Sequence, residues 1–194
     1  MLVTQESKGG CVVTVFVCGK ASDDSIRQVL PGALAAYGDV QYFNGEEWIS
    51  LPWKNSFHRQ FFVCEWESLP RYQGPAGLLL LKNSFCPGPK DRLSPGLLPV
   101  FESHNQKALA FLHREGASAI TCGMSPRDTL SLASVDYHSA TVSIQRCIPL
   151  LDGTVLEPGD IPVELGKPYS PHQILAAVSV LLFCGVPSKE GYQL

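Results

Sequence analysis

Cys11-Val12-Val13-Thr14-Val15-Phe16-Val17-Cys18-Gly19-Lys20-Ala21-Ser22 reads as a strand running into a tight polar turn. An unbroken apolar and β-branched run suits a strand buried on both faces, the condition of a strand inside a parallel sheet. After the turn, Asp23, Asp24 and Ser25 offer helix caps, and Ile26, Val29, Leu30, Leu34 and Tyr37 recur at helical spacing. Pro31 falls inside that pattern and is expected to kink or divide the helix. Gly38 closes it, Val40 to Phe43 reads as a short strand, and Asn44-Gly45 is a hairpin signal.

The pattern continues along the chain. Phe61-Phe62-Val63-Cys64-Glu65-Trp66 and Ala76 to Leu81 are two further apolar strands. The prolines between Cys86 and Pro99 exclude a regular helix there. Leu97 to Glu102 is a strand, followed by Ser103-His104-Asn105 as cap candidates, a helix carrying Ala108, Leu109, Phe111 and Leu112, a stop at Gly116, and a strand from Ser118 to Gly123. That order is a crossover unit of the kind that builds parallel sheets. From Thr129 the pattern becomes alternating, with strands at Leu130–Val135, Ala140–Ile148 and Thr154–Leu165, an antiparallel appendage with one polar face. Pro171-His172-Gln173 opens an apolar helix, Ile174 to Phe183, ended by Gly185. No repeat or linker divides the chain. The expectation is one α/β domain over residues 1–194: a mostly parallel P-loop or Rossmann-like sheet with flanking helices and a C-terminal antiparallel β-meander.

Composition limits the function. The 194 residues carry a formal charge of −3, which gives no attraction for a polyanion and argues against a dedicated nucleic-acid binder. Charged residues make up 17%, below the usual roughly 25%, which argues against a disordered chain. The seven cysteines are scattered, with no C-x-x-C pair, and most sit in apolar runs; buried reduced thiols are the expectation, over a disulfide framework or a zinc site. The N-terminus lacks the basic and apolar regions of a signal peptide. The longest hydrophobic stretch, Ile174 to Val186, is shorter than the roughly 18–20 residues that span a bilayer. A cytoplasmic protein without membrane contact is therefore expected.

Local motifs must carry the function. Cys18-Gly19-Lys20-Ala21-Ser22 between a strand and a helix has the outline of a phosphate-binding loop, in which backbone N–H groups wrap phosphate, a Lys supplies charge and a Ser or Thr holds Mg²⁺. The full G-x-x-x-x-G-K-[ST] pattern would place Gly at position 14 and Ser or Thr at 21, where Thr14 and Ala21 stand; Ser22 is the only substitute hydroxyl. A vestigial turn is preferred over a working cradle. Trp48, Trp53 and Phe57 read either as an aromatic binding surface or as hairpin residues covering a sheet end, the second being preferred. His58, His104, His113, His138 and His172 have no metal-ligand spacing and read as surface or capping residues. Ser125-Pro126-Arg127-Asp128-Thr129 is a ligand loop or a plain turn, and Arg146 an anion contact or part of a solvated strand face.

The order of elements resembles the central, ATP-binding domain of the Mur ligases and their folylpolyglutamate synthetase relatives. Val15 to Ser22 resembles their V-T-G-T-N-G-K-T-[ST] loop, and Val63-Cys64-Glu65-Trp66-Glu67-Ser68 their E-x-S-S strand end, whose Glu helps hold Mg²⁺. Leu79-Leu80-Leu81-Lys82-Asn83 resembles the strand ending in T-N, and Pro99 to Asn105 sits where the family has N-x-D-D. Ala119 to Gly123 resembles the strand ending in Y/F-G. Gln173-Ile174-Leu175-Ala176-Ala177 with Gly185-Val186 resembles the closing N-x-L-A-A helix. The resemblance implies a nucleotide site formed by Gly19, Lys20, Ser22, Glu65 and Asn83. The departures fall on catalytic positions: the D-H-L-D segment and the lysine-bearing helix are replaced by the proline-rich loop, Ser103-His104-Asn105 replaces the paired aspartates, and Gln173 replaces the closing Asn. Phosphoryl transfer depends on such groups for charge neutralisation and positioning. A family ligase also uses three domains, and 194 residues accommodate the middle one.

The expectation that follows is a degenerate or non-catalytic Mur-ligase-like domain, linked through the resemblance to cell-wall metabolism, that binds a small ligand or a protein partner. ATP with Mg²⁺ is not expected to bind well. Two alternatives stand beside it: a minimal ATP-dependent ligase-like enzyme using Lys20, Ser22, Glu65 and Asn83, and a structural subunit, homo-oligomeric or heteromeric, anchored through Trp48 and Trp53.

Overall fold

The computed structural model describes residues 12–52, 59–151 and 153–194; Cys11, Trp53, Phe57 and His58 lie outside them. The opening run forms β1 (Val12–Cys18), and β2 (Asp39–Phe43), β3 (Trp48–Leu51), β4 (Gln60–Trp66), β5 (Gly77–Leu81), β6 (Leu97–Glu102), β7 (Ile120–Gly123) and β8 (Leu130–Val135) follow. The remaining strands are β9 (Ser139–Ile144), β10 (Ile148–Pro149), β11 (Val155–Leu156), β12 (Gly159–Glu164) and β13 (Tyr192–Gln193). Eleven strands make one sheet in the order β13-β12-β9-β8-β7-β6-β5-β1-β4-β2-β3, and β10 pairs with β11 separately. Strands β2, β4, β1, β5, β6, β7 and β8 run parallel, while β3, β9 and β12 join antiparallel. This is the mostly parallel, Rossmann-like α/β sheet that the apolar runs imply.

Two layers cover the sheet. On one side lie α1 (Leu30–Ala35) and α3 (Pro171–Phe183). Nearly every residue of α3 is buried, because it lies between the sheet and α1. On the other side α2 (Gln106–Glu115) and Phe85 pack on Phe16, Leu79 and Phe101. Alternation along the strands sorts the residues: Val13, Val15 and Val17 face the α3 side, and Phe16 and Cys18 the α2 side. Asn105 caps α2 through the Ala108 N–H at 3.1 Å, and Gly116 ends it with φ +63°. Ser170 and Gln173 form a capping box at the start of α3.

Three local expectations change. The helical pattern at 26–37 yields only the short α1, with Ile26 and Val29 buried in the preceding turns. Pro31 does not divide a helix; it sits in the first turn, where its missing N–H has no intrahelical partner to lose. The meander is not an appendage. β8 pairs with β7, so β8, β9 and β12 extend the main sheet, and the long alternating runs break at β10 and β11. The C-terminal β13, which pairs parallel to β12, is too short to read from sequence.

Candidate functional site

Strand order reverses at β1, whose neighbours are β4 and β5. In an open α/β sheet, the carboxyl end of such a strand is where a crevice forms. Two strands that flank β1 end there in charge rather than in apolar residues. Phe61, Val63 and Glu65 share one face of β4, and Leu78 and Leu80 of β5 continue in register to Lys82. Glu65 and Lys82 therefore both point into the α3-side layer, and they meet across the end of β1. Glu65 retains 3% exposure and Lys82 none.

Such a pair is tolerated only when every polar atom is engaged. Lys82 Nζ donates to Glu65 Oε1 and to the backbone carbonyls of Asp23 and Lys20, the last at 3.3 Å. Glu65 Oε2 accepts from the Tyr42 hydroxyl at 2.8 Å and from Arg27 Nε at 3.2 Å. Burial, and then the adjacent Glu65 charge, push the Tyr42 phenol up, so it stays a donor. Glu65, Lys82 and Arg27 together carry one net positive charge, and only Arg27, 31% exposed, shows it to solvent.

The turn after β1 is occupied in the same way. Gly19 N–H donates to the Trp66 carbonyl at 3.1 Å, Lys20 N–H to Ser84 Oγ at 3.1 Å, and Ala21 N–H to Glu67 Oε1 at 2.9 Å. Asp23 N–H closes back on the Lys20 carbonyl at 3.0 Å. Gly19 has a reason other than phosphate to be Gly: a Cβ there would lie 2.6 Å from Lys82 Cβ and 2.9 Å from Lys82 Cδ. The glycine opens the path along which the lysine crosses β1. The side chains of Lys20 and Ser22 are exposed. Asn83 does not join Glu65; its amide donates to Glu102 Oε2 at 2.6 Å.

Mg²⁺ with ATP, which the resemblance implies, does not match this arrangement. The turn N–H groups that would wrap phosphate are already donating, and the carboxylate that would hold the metal is already shared by an ammonium, a guanidinium and a phenol. Gln173, at the closing position, is likewise engaged: it completes the α3 capping box and donates to the Ser25 carbonyl at 2.9 Å.

Beside the turn lies a cleft of ≈ 410 Å³, lined by Arg27, Asn44, Glu46, Glu65, Trp66 and Glu67 among others. Trp66 is 43% exposed. Trp48, 54% exposed, lies against Phe43 and Phe62 and donates through Nε1 to Gln41 Oε1 at 2.6 Å, so it covers the sheet end while keeping an open face.

A second buried carboxylate, Glu102, ends β6 on the same face. Asn83 donates to it, and His104 Nε2 and His172 Nδ1 each lie 3.3 Å from its oxygens. Burial opposes its charge, but His172 and Asn83, and then His104, hold its carboxyl below the ordinary range. His172 is thus not a surface or capping residue: it is 15% exposed at the start of α3, against Glu102. The Ser125–Thr129 segment is a plain turn closed by Asp128, whose Oδ2 accepts from Ser125 N–H at 3.2 Å. Arg146 donates to the Arg127 and Asp128 carbonyls of that turn. Cys18, Cys64, Cys122 and Cys184 are buried and outside any disulfide, and burial pushes the Cys18 thiol up to about 12, far from a nucleophile. Among the described residues no His, Cys, Asp and Glu cluster is arranged to hold a metal, and no helix is long and apolar enough to cross a membrane.

Fold and edge geometry define a Rossmann-like α/β domain with a switch-point cleft. It is similar to the crystal structure of a murein peptide ligase from Psychrobacter arcticus, at 14% identity and a TM-score of 0.52 over 91% of this chain. That likeness establishes a Mur-ligase-like fold. The chain spans 45% of the length of that ligase. No protein-family profile and no curated protein matches the chain.

Sequence reasoning passed over Lys82, Arg27 and Tyr42. The signal for Lys82 was present: a lysine two positions beyond Leu80, on the buried face of an unbroken apolar strand, needs an inward-facing acid, and Glu65 ends the corresponding face of β4.

Proposed function

We propose that this chain is a binding domain on a Mur-ligase-like fold, with its nucleotide seat closed by its own side chains and a small polar ligand held in the cleft against Arg27 and Trp66. The observation that supports it is the engagement of the Gly19, Lys20 and Ala21 N–H groups by Trp66, Ser84 and Glu67. The cleft beside them offers one accessible guanidinium, an indole wall and carboxylates at Glu46 and Glu67. Those groups suit a ligand carrying both an anionic and a cationic or hydroxyl group. Since the similar structure is a murein peptide ligase, murein-derived peptides and UDP-linked sugars are the ligands to try first, and a place in cell-wall metabolism follows from such binding.

Isothermal titration with ATP, ADP, UDP-linked sugars and murein peptides, with and without Mg²⁺, tests this reading. The expected result is no Mg²⁺-dependent ATP binding, and binding of a peptide or sugar ligand that changes Trp66 fluorescence and disappears in Arg27→Gln. Micromolar, Mg²⁺-dependent ATP binding overturns it. So does phosphate release that Lys20→Ala abolishes, because that is the signature of a ligase-like enzyme. The open face of Trp48 supports a second reading, a protein contact at the β3 end of the sheet. In that case light scattering shows a homo-oligomer or heteromer that Trp48→Ala weakens.

A further inference from the structure

We infer that Lys82 is a tethered cation: its ammonium permanently fills an oxygen-lined seat that takes a free hard cation once the side chain is cut back. The inference rests on the closed-seat part of the reading above, and not on the cleft or its ligand. Its basis is the donor set. Lys82 Nζ is fully enclosed, and its partners are a carboxylate oxygen of Glu65 and the main-chain carbonyls of Lys20 and Asp23. One carboxylate with two carbonyls is an oxygen set suited to a hard cation. The residues supplying it come from two places: the end of β4, and the Lys20 and Asp23 ends of the turn after β1. A cation at their junction offsets the mutual repulsion of two carbonyl oxygens and a carboxylate.

The surroundings are built for this ammonium. Gly19 lacks the Cβ that would block its stem, and Ser84, two residues after Lys82, fastens the turn by accepting from Lys20 N–H. Asp23, whose carbonyl is one of the ligands, is itself fixed: burial opposes its charge, but hydrogen bonds from Ser25 and Ser84 hold its carboxyl below the ordinary range. In this seat the chain carries the charge covalently, on the Lys82 side chain. The seat is therefore unavailable to a free metal in the native protein, and the turn has the same shape with or without one in solution.

The test compares the parent with Lys82→Ala in choline chloride, then in potassium, ammonium, methylammonium, magnesium and manganese chlorides at equal ionic strength. In choline chloride Lys82→Ala is expected to melt roughly 10 °C below the parent, since a buried carboxylate has lost its counter-charge. At least one of the small cations restores half or more of that loss in the variant while leaving the parent unmoved, and electron paramagnetic resonance shows Mn²⁺ immobilised by the variant but not by the parent. Lys82→Met, whose apolar stem still fills the channel, melts low and is not rescued. Should Lys82→Ala fail to fold, the double variant Glu65→Gln with Lys82→Ala removes the uncompensated anion and is expected to recover folding without binding Mn²⁺. The inference is overturned if Lys82→Ala melts with the parent in choline chloride, if no cation rescues it, if the parent binds Mn²⁺ as the variant does, or if the double variant gains nothing over the single. A parent that binds Mg²⁺-ATP in titration defeats the closed-seat reading; failure of rescue alone defeats the tethered-cation inference and leaves that reading standing.

Discussion

Glu65 and Glu102 are both buried carboxylates at the carboxyl ends of parallel strands, on the same face of the same sheet. Their partners differ in kind. Glu65 is held by the Lys82 ammonium and the Arg27 guanidinium, and by a phenol whose proton burial retains. Glu102 is held by an amide and two histidines, one of them exposed. The first arrangement joins the carboxylate to cations and a phenol; the second leaves one partner exposed, and its carboxyl is held below the ordinary range.

Substitutions rank the two clusters. Lys82→Met strands Glu65 in a buried position and is expected to lower stability by about 3–5 kcal/mol in urea unfolding. An effect comparable to a surface substitution would make the two carboxylates equivalent. Gly19→Ala brings a methyl against Lys82 Cβ and should lower stability by about 1–3 kcal/mol, although φ at Gly19 lies outside the left-handed region. Lys82→Ala removes the contact with Cδ but keeps the Cβ at 2.6 Å and leaves Ser84 Oγ at 2.8 Å, so Gly19→Ala should stay destabilising in that background, and a double-mutant cycle should read little coupling.

At Glu102 the expected effect is smaller and pH-dependent. Its folded carboxyl titrates below the ordinary value of 4.5, so on acidification the unfolded chain takes up the proton first. The stability this provides is complete above that value and is lost as pH falls through the lower folded one. Glu102→Gln should lower stability by about 1 kcal/mol at pH 7 and flatten the acid limb of a Tm profile. The smallest change is at Arg27. Arg27→Gln should alter stability by less than about 1 kcal/mol, because its side chain is partly solvated and Lys82 and Tyr42 still hold Glu65. In fluorescence titration it should nevertheless abolish ligand binding in the cleft.

Much of the fold was legible because buried parallel strands announce themselves as unbroken apolar runs, as in β1 and β5, and because α2 and α3 carry a cap at one end and a glycine at the other. The short α1 was misread because Ile26 and Val29 are buried at helical spacing without being helical, so periodicity recorded burial rather than backbone shape. In the candidate site, the Gly19 turn stood out at a strand end and Glu65 through the family resemblance, but their partners did not. Asn83 reads the same whether it turns toward Glu65 or toward Glu102, and only the sheet order shows which. Lys82 was hidden inside the Leu79–Asn83 stretch, which was read as a whole for its likeness to a family strand end, so the lysine drew no reading of its own.

The most direct measurement is a crystal structure of the unmodified protein grown with Mn²⁺ and ATP, with the metal located by its anomalous signal. Lys82 Nζ is expected between Glu65 and the Lys20 and Asp23 carbonyls, with no Mn²⁺ at Glu65 and no phosphate at the Gly19–Ser22 turn. Mn²⁺ bound to Glu65, with Lys82 displaced and phosphate on the turn N–H groups, would contradict it.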